Sequence, residues 1–410
     1  EENGISVGLV FRLRQLRERV LRIRELLECL MSTHPSASAV RLLSRLVLVG
    51  QERASIRALI TSNSSLLAAK VAERSAETGE HYITRDWPQY RSMLRKAAGG
   101  GALTGGTTLL KFMIMGLGLS AFWGGFWAGA MYAASFVVIQ LLHCTLATKQ
   151  PAMTAPAMAA KLKDIGTPEA VNAFVDEVAH LMRSQAAAVL GNVLVVFPVV
   201  LLLSVGIGLL LGHPMLGAKE AAYTLHSLSL LGPTLLFAGF TGCLLFASSI
   251  IAGWVENWFV LRRLDSAMRY NPGITGILGV ERAGRWAHFM RNNISGFASN
   301  ISLGFMLGLI PPIMAFFSLP LEVRHVTLSA GQLAAASVAY GVQTVFMPAF
   351  WWAVAAIPLI GALNLGVSFY LAYQLALRAH NVSGVQRAHI HQAIWARWRH
   401  RPLSFFIPAG

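Results

Sequence analysis

Apolar residues follow two different patterns along this chain. Over residues 1–96 they recur at helical spacing among many charges, and no stretch there is apolar enough to cross a bilayer. Leu9, Leu13, Leu16, Val20, Ile23, Leu27 and Leu30 advance by alternating steps of four and three, an a/d stripe over three heptads. Arg12, Arg14, Arg17, Arg19, Arg22 and Arg24 fall mostly off that stripe. They make either the solvated basic face of a bundle helix or a surface for lipid headgroups or DNA. Thr33-His34-Pro35-Ser36 breaks the helix; further helical segments are expected over about 37–60 and 64–75, with a loop at Thr78-Gly79-Glu80-His81-Tyr82. Asp86-Trp87-Pro88 reads as a helix start, with Asp86 as cap and Pro88 in the first turn.

From residue 97 the pattern changes to long apolar runs. Six are expected to span: about 97–119, 121–143, 187–211, 228–253, 297–319 and 348–377. Each can cross roughly 30 Å of hydrocarbon at about 1.5 Å per helical residue. The first two follow so closely that they form a tight hairpin. Pro198, Pro311-Pro312 and Pro358 interrupt the third, fifth and sixth spans; proline is tolerated there when neighbouring helices satisfy the freed carbonyls. Residues 329–347 are small and weakly polar, and read as a partial or re-entrant element. Thr167-Pro168-Glu169 starts a helix that runs from 168–186 into the third span. Asn271-Pro272-Gly273 is a turn between two amphipathic basic helices, with Trp254, Trp258 and Trp286 placed as interface aromatics. GxxxG spacings at Gly101/Gly105, Gly125/Gly129, Gly208/Gly212 and Gly304/Gly308 predict close helix packing, the first two pairs against each other across the hairpin.

Charge fixes the expected orientation. Of 34 Lys and Arg, 16 lie in residues 1–96, four in 144–186, six in 254–296 and five in 378–410, against one each in 212–227 and 320–347. Under the positive-inside rule, six spans place every basic segment on the cytoplasmic side with both termini, and a seventh full span is disfavoured. The expected fold is therefore an all-α, polytopic transmembrane helical bundle, N-in and C-in. It divides into a cytoplasmic basic helical domain (1–96), a transmembrane hairpin (97–143), a cytoplasmic helical loop (144–186), transmembrane helices three and four (187–253), a cytoplasmic amphipathic loop (254–296), helices five and six (297–377) and a basic cytoplasmic tail (378–410).

Composition agrees. Hydrophobic residues make up 55% of the 410, and only 13% are charged, about half the roughly 25% of a soluble domain. The net charge of +15 fits cytoplasmic loops facing anionic lipid, or nucleic-acid binding. Cys29, Cys144 and Cys243 are far apart in sequence and are expected to be reduced, buried thiols. Glu1-Glu2-Asn3 carries neither Met nor a signal peptide and reads as an internal start, so a longer N-terminus is expected.

Candidate chemistry is sparse. His380, His389, His391 and His400 lie in a segment that reads as a basic helix rather than a metal site. No GxxxxGK[ST], GxSxG or HExxH occurs, and no metal or cofactor is expected. Lys111 is the one charge well inside an expected span, and Glu256 closes the fourth. With Asn292, Asn293, Asn300 and Asn364 they make a candidate polar membrane site. Interface capping explains Asn292, Asn293 and Asn300 equally well.

Several runs resemble the bacterial membrane-protein family known as site-specific recombinase. They are Glu77-Thr78-Gly79-Glu80-His81-Tyr82-Ile83, Ala97-Ala98-Gly99-Gly100-Gly101, Ala147-Thr148-Lys149-Gln150-Pro151-Ala152-Met153-Thr154, Leu363-Asn364-Leu365-Gly366-Val367-Ser368 and Arg401-Pro402-Leu403. The resemblance covers essentially the whole chain. It marks Gly79, Glu80, His81, Tyr82, Thr148, Lys149, Gln150 and Pro151 as signature loops, and its name implies DNA recombination. A tyrosine recombinase gathers arginines, a lysine, an HxxR motif and a nucleophilic tyrosine on one phosphate. His180–Arg183 and His288–Arg291 match HxxR, but Tyr340, Tyr370 and Tyr373 lie in or beside apolar spans. A serine recombinase needs an early mixed sheet, whereas residues 1–96 read as helical. Three readings follow. The first is a non-enzymatic inner-membrane protein binding a partner or anionic headgroups through its basic helices, with a protein partner reached through 1–96. The second is a membrane-associated factor in DNA recombination, and the third a transporter of an apolar or lipidic molecule.

Overall fold

The structure, a computed structural model, describes residues 7–31, 35–54, 83–147, 168–379 and 384–408. Among these no strand occurs, and the molecule is an all-α polytopic helical bundle. Its helices are α1 (Val7–Met31), α2 (Pro35–Ala54), α3 (Trp87–Gly116), α4 (Ala121–Leu141), α5 (Pro168–Leu211), α6 (Ala218–Ser227), α7 (Thr234–Leu261), α8 (Leu264–Tyr270), α9 (Pro272–Leu278), α10 (Val280–Phe316), α11 (Val326–Tyr340), α12 (Pro348–Ala379) and α13 (Gly384–His400), with 3-10 turns at Gly341–Phe346 and Pro402–Phe405. The expected segment 64–75, the loop at 78–82 and the signature residues Gly79 to Tyr82 and Thr148 to Pro151 lie outside the described residues.

Five helices are long and apolar enough to cross a membrane: α4, α7 and α10 over their whole lengths, α5 from Glu169 and α12 to Leu375. The remaining expected span, the first at 97–119, corresponds to α3. It begins ten residues earlier than the apolar run because Asp86, in extended conformation, accepts the Gln89 N–H at 2.8 Å, and Pro88 occupies the first turn. Its polar first turns and glycines leave it less apolar than the other five. Its most extensive contact is with α5.

Contacts divide the chain into two compact units. One comprises Glu1–Val71 and Glu256–Asn292, in which α1 and α2 pair. Here Asn271 caps α9, its Oδ1 accepting the N–H groups of Gly273 and Ile274, so the expected turn is also a helix start. Trp254, in the other unit, and Trp258 and Trp286 are exposed as anticipated.

The second unit, Ala72–Val255 with Asn293–Gly410, is the bundle. One apolar core joins α3, α5, α6, α11 and α12 through Leu109, Val196, Leu225, Leu333 and Ile360; another joins α4, α7 and α10 through Phe136, Leu245 and Leu303, with Leu328 of α11 among them. α11 is thus shared by both, and ten of its fifteen residues from Val326 to Ser337 are fully buried small or apolar side chains plus Thr327. At about 1.5 Å per residue it extends roughly 22 Å, short of a bilayer core. The region read as partial or re-entrant is this central half-helix, ended by Gly341 at φ +56°, a conformation that favours glycine.

Three of the four glycine pairs pack closely, but not as expected, and the fourth does not: a Cβ on Gly212 would meet nothing within 4 Å, and one on Gly208 only the turn at His213 and Pro214. A Cβ on Gly101 would overlap the Asn192 backbone, and one on Gly105 would meet Val199, both on α5. Gly125 and Gly129 face Gly308, Pro312 and Phe305 on α10. The two hairpin pairs therefore pack on α5 and α10 rather than on each other. The α4 pair meets the Gly304/Gly308 pair, and glycine on both sides brings the backbones together. Cys243 also departs from expectation. It is exposed on α7, on a face that protein does not cover, while Cys29 and Cys144 are half-buried.

Candidate functional site

The polar chemistry of the bundle concentrates where α11 begins. Four N–H groups at a helix start lack intrahelical partners, and an apolar interior offers no water to satisfy them. Here Asn364 of α12 supplies an acceptor. Its Oδ1 takes the Val326 N–H at 3.0 Å, and its Nδ2 donates to the carbonyls of Ala238 and Arg324, each at 2.9 Å. Asn192 of α5 ties the next residue of α11 to two other segments. Its Oδ1 accepts from the Ala147 N–H at 3.3 Å and the Thr327 hydroxyl at 3.2 Å, and its Nδ2 donates to the carbonyls of Ala97 and Thr145 at 2.9 and 2.8 Å. Both amides are fully buried, and each uses both donors, so two side chains fasten five chain segments around the α11 start.

Arg324 and His325 precede that start. The Arg324 N–H donates to the Thr241 hydroxyl at 2.7 Å. Its guanidinium donates to the Ser227 carbonyl at 2.9 and 3.2 Å, pairs with Glu322 at 2.6 Å and lies 5.5 Å from the Phe237 ring centre. Glu322 also accepts from the Tyr223 hydroxyl at 3.1 Å. His325 is buried, bonded to the backbone of Ala147 and 6.4 Å from the Phe136 ring.

Beside this cluster lies a cavity of about 710 Å³, between the ends of α3, α4 and α10 and the start of α11. Lys111, Glu322, Arg324, His325 and Gln332 give it a polar end, and Gly124, Gly308, Pro312 and Leu328 are among its apolar walls.

The residues singled out from sequence separate in space. Lys111 lines the cavity, and Asn364 lies behind it in the α11 network. Asn293 and Asn300 belong to a different cluster. Gln140 of α4 donates to the Asn293 Oδ1 at 3.2 Å and accepts from Asn300 at 2.6 Å. Asn292 is exposed and bonds His288 at 3.0 Å, one turn back on its own helix. Glu256 is half-buried in α7. Successive residues of α10 point in different directions around the helix, so Asn293 and Asn300 turn to Gln140 while Asn292 bonds His288. Sequence reasoning passed over Asn192, Arg324 and His325. Asn192 is a lone amide in the apolar run Leu190-Gly191-Asn192-Val193, and Arg324 is the single Lys or Arg between 320 and 347; both were visible signals.

At the other end of α5, Arg183 is buried and donates to the Ser404 carbonyl at 2.9 Å and the Arg85 carbonyl at 3.4 Å, while Arg397 pairs with Asp176. This HxxR arginine therefore holds the C-terminal turn. Tyr340 donates to the Ala218 carbonyl, and Tyr373 stacks on Phe369. In the other unit, Leu13, Leu16, Val20 and Ile23 of α1 are each 56–57% exposed, so the a/d stripe remains uncovered. Arg12, Arg17, Arg19, Arg22 and Arg24 are all exposed beside it. Among the described residues no three His, Cys, Asp or Glu side chains gather as a metal site.

No curated protein and no solved structure matches the chain. The sequence model of the family described as site-specific recombinase matches residues 1–408. With five membrane-capable helices and that match over nearly its full length, the chain belongs to the site-specific recombinase family.

Proposed function

We propose that this protein is a non-enzymatic, multi-pass protein of the bacterial inner membrane, with both termini cytoplasmic, that engages anionic lipid headgroups through the basic helix α1. One observation carries the reading: the leucine and isoleucine stripe of α1 is more than half exposed and flanked by arginines. An amphipathic helix of this kind gains by laying its apolar face into the headgroup boundary, while each Arg near an anionic surface contributes about 1 kcal/mol. The Lys and Arg distribution between loops supports the orientation. Arg183 donates to two backbone carbonyls, of Ser404 and Arg85, which speaks for a structural role rather than phosphate chemistry.

The test uses the full chain in nanodiscs of phosphatidylcholine, alone or mixed with phosphatidylglycerol. Hydrogen exchange of the α1 amides is expected to slow only in the anionic discs, and to recover at high salt. Equal exchange in both discs would overturn the reading. Protection in neutral discs on adding duplex DNA, lost steeply as salt rises, would favour a role in recombination instead.

A further inference from the structure

The charges around the cavity do not balance. Lys111 and Arg324 are cations and Glu322 is the one carboxylate in the lining. Arg324 holds Glu322 at 2.6 Å and donates also to Ser227 and Val323. That leaves the Lys111 ammonium without a hydrogen bond or ion pair among the described residues, 6.0 Å from the centre of the Phe112 ring. An ammonium inside a membrane bundle is costly unless it is paired or reaches water. Next to it run walls with little polar chemistry, formed by Met115, Gly124, Gly308, Pro312 and Leu328.

We propose that this cavity binds an anionic amphiphile, its carboxylate or phosphate head at Lys111 and its hydrocarbon chain against the α4–α10 wall. Small-molecule sites of this type enclose roughly 300–1,000 Å³, mostly apolar with a few placed polar groups, and the 710 Å³ cavity fits that description. Glycine on both helices shapes the wall. At Gly125 and Gly308 added side chains would strike the facing helix, whereas a Cβ at Gly124 meets nothing within 4 Å. The Gly124 position therefore opens onto the cavity and not onto packed protein. Arg324 does not grip the ligand; its bonds to Ser227 hold the polar end in place. The site is independent of α1.

The test measures equilibrium binding of radiolabelled dodecanoate to the full chain in phosphatidylcholine nanodiscs. Its competitors are dodecyl phosphate, the uncharged methyl dodecanoate, and acetate. Dodecanoate is expected to bind and methyl dodecanoate and acetate to compete at least about tenfold more weakly, the cost of losing a charge-assisted bond or the chain. Dodecyl phosphate competing better than unlabelled dodecanoate would identify the head as phosphate, and the reverse order as carboxylate; either supports the site. Lys111→Gln should weaken binding by about tenfold or more. Gly124→Leu fills the cavity without touching packed backbone and should abolish binding in a folded protein. Equal competition by the methyl ester, or wild-type affinity in both variants, would overturn the proposal.

Discussion

Asn364 accepts the Val326 N–H at 3.0 Å, so a side chain in the middle of α12 supplies the acceptor that opens α11. His325, which occupies the cap position, makes no capping bond of its own to that helix. The amide of a neighbouring helix has taken over what an Asp or Ser normally does for its own chain. In a membrane interior this matters more than at a surface, because no water can stand in for the missing partner.

Asn364→Leu should therefore destabilise the bundle sharply. It leaves the Val326 N–H and the carbonyls of Ala238 and Arg324 without their partner, at about 1–3 kcal/mol for each group orphaned. Thermal unfolding in mild detergent should show a lowered midpoint, and Asn192→Leu a comparable one. A midpoint within error of wild type in both would show that the α11 start is held by packing alone.

Gly308→Leu should separate α4 from α10. Its Cβ would collide with the Gly129 and Gly125 backbone, so the helices must part and lose dispersion contacts along the seam. Gly116→Ala meets nothing within 4 Å and serves as the neutral comparison. Thermal unfolding in mild detergent should show a lowered midpoint for Gly308→Leu and an unchanged one for Gly116→Ala.

Arg183→Ala should release the C-terminal turn. Residues Pro402–Phe405 lose the bond from Arg183 to Ser404, while Trp398 depends on the same turn for its contacts with Phe405 and Phe406 at 5.4 and 5.9 Å. Faster hydrogen exchange over 402–408 with the rest of the bundle unchanged is the expected signature. Arg183→Lys keeps the charge but not the two-armed reach, and should fall between.

The proposed orientation is checked by cysteine labelling after the native cysteines are replaced by serine. His213→Cys should react with a membrane-impermeant maleimide on intact cells, and Leu278→Cys only after the membrane is opened. The reverse pattern would invert the topology.

The long apolar runs announced five of the spanning helices, since an uninterrupted hydrophobic stretch has few other uses. The Asp86-Trp87-Pro88 start was equally plain, because cap chemistry is local. α11 was harder to read. Its run Ser329-Ala330-Gly331 through Ala334-Ala335-Ala336 is buried on nearly every side, so it shows no amphipathic period, and its small residues keep it less apolar than a span. Three of the glycine pairs announced close approach but not the partner, because which helices meet depends on the whole bundle, and the Gly208/Gly212 spacing announced an approach that is not made. Lys111 could be singled out as the charge within a span, yet the cavity beside it joins residues from five helices and the connections between them. Nothing in the spacing of Lys111, Gly124, Gly308 and Arg324 along the chain indicates that they converge.

α5 runs for 44 residues without a break, through Pro198, from Pro168 to Leu211. At about 1.5 Å per residue it is a rod of roughly 66 Å, twice the hydrocarbon thickness. Asn192 sits near its middle, tied to α11, while Arg183 and the contacts of α13 hold the half that ends at Pro168. A stiff beam pinned at its centre works as a lever. A tilt of about five degrees at the pivot would carry a free tip through roughly 3 Å, so the contacts of Arg183 and α13, by holding one arm, act as a brake that keeps the α11 start and the C-terminal turn in fixed register.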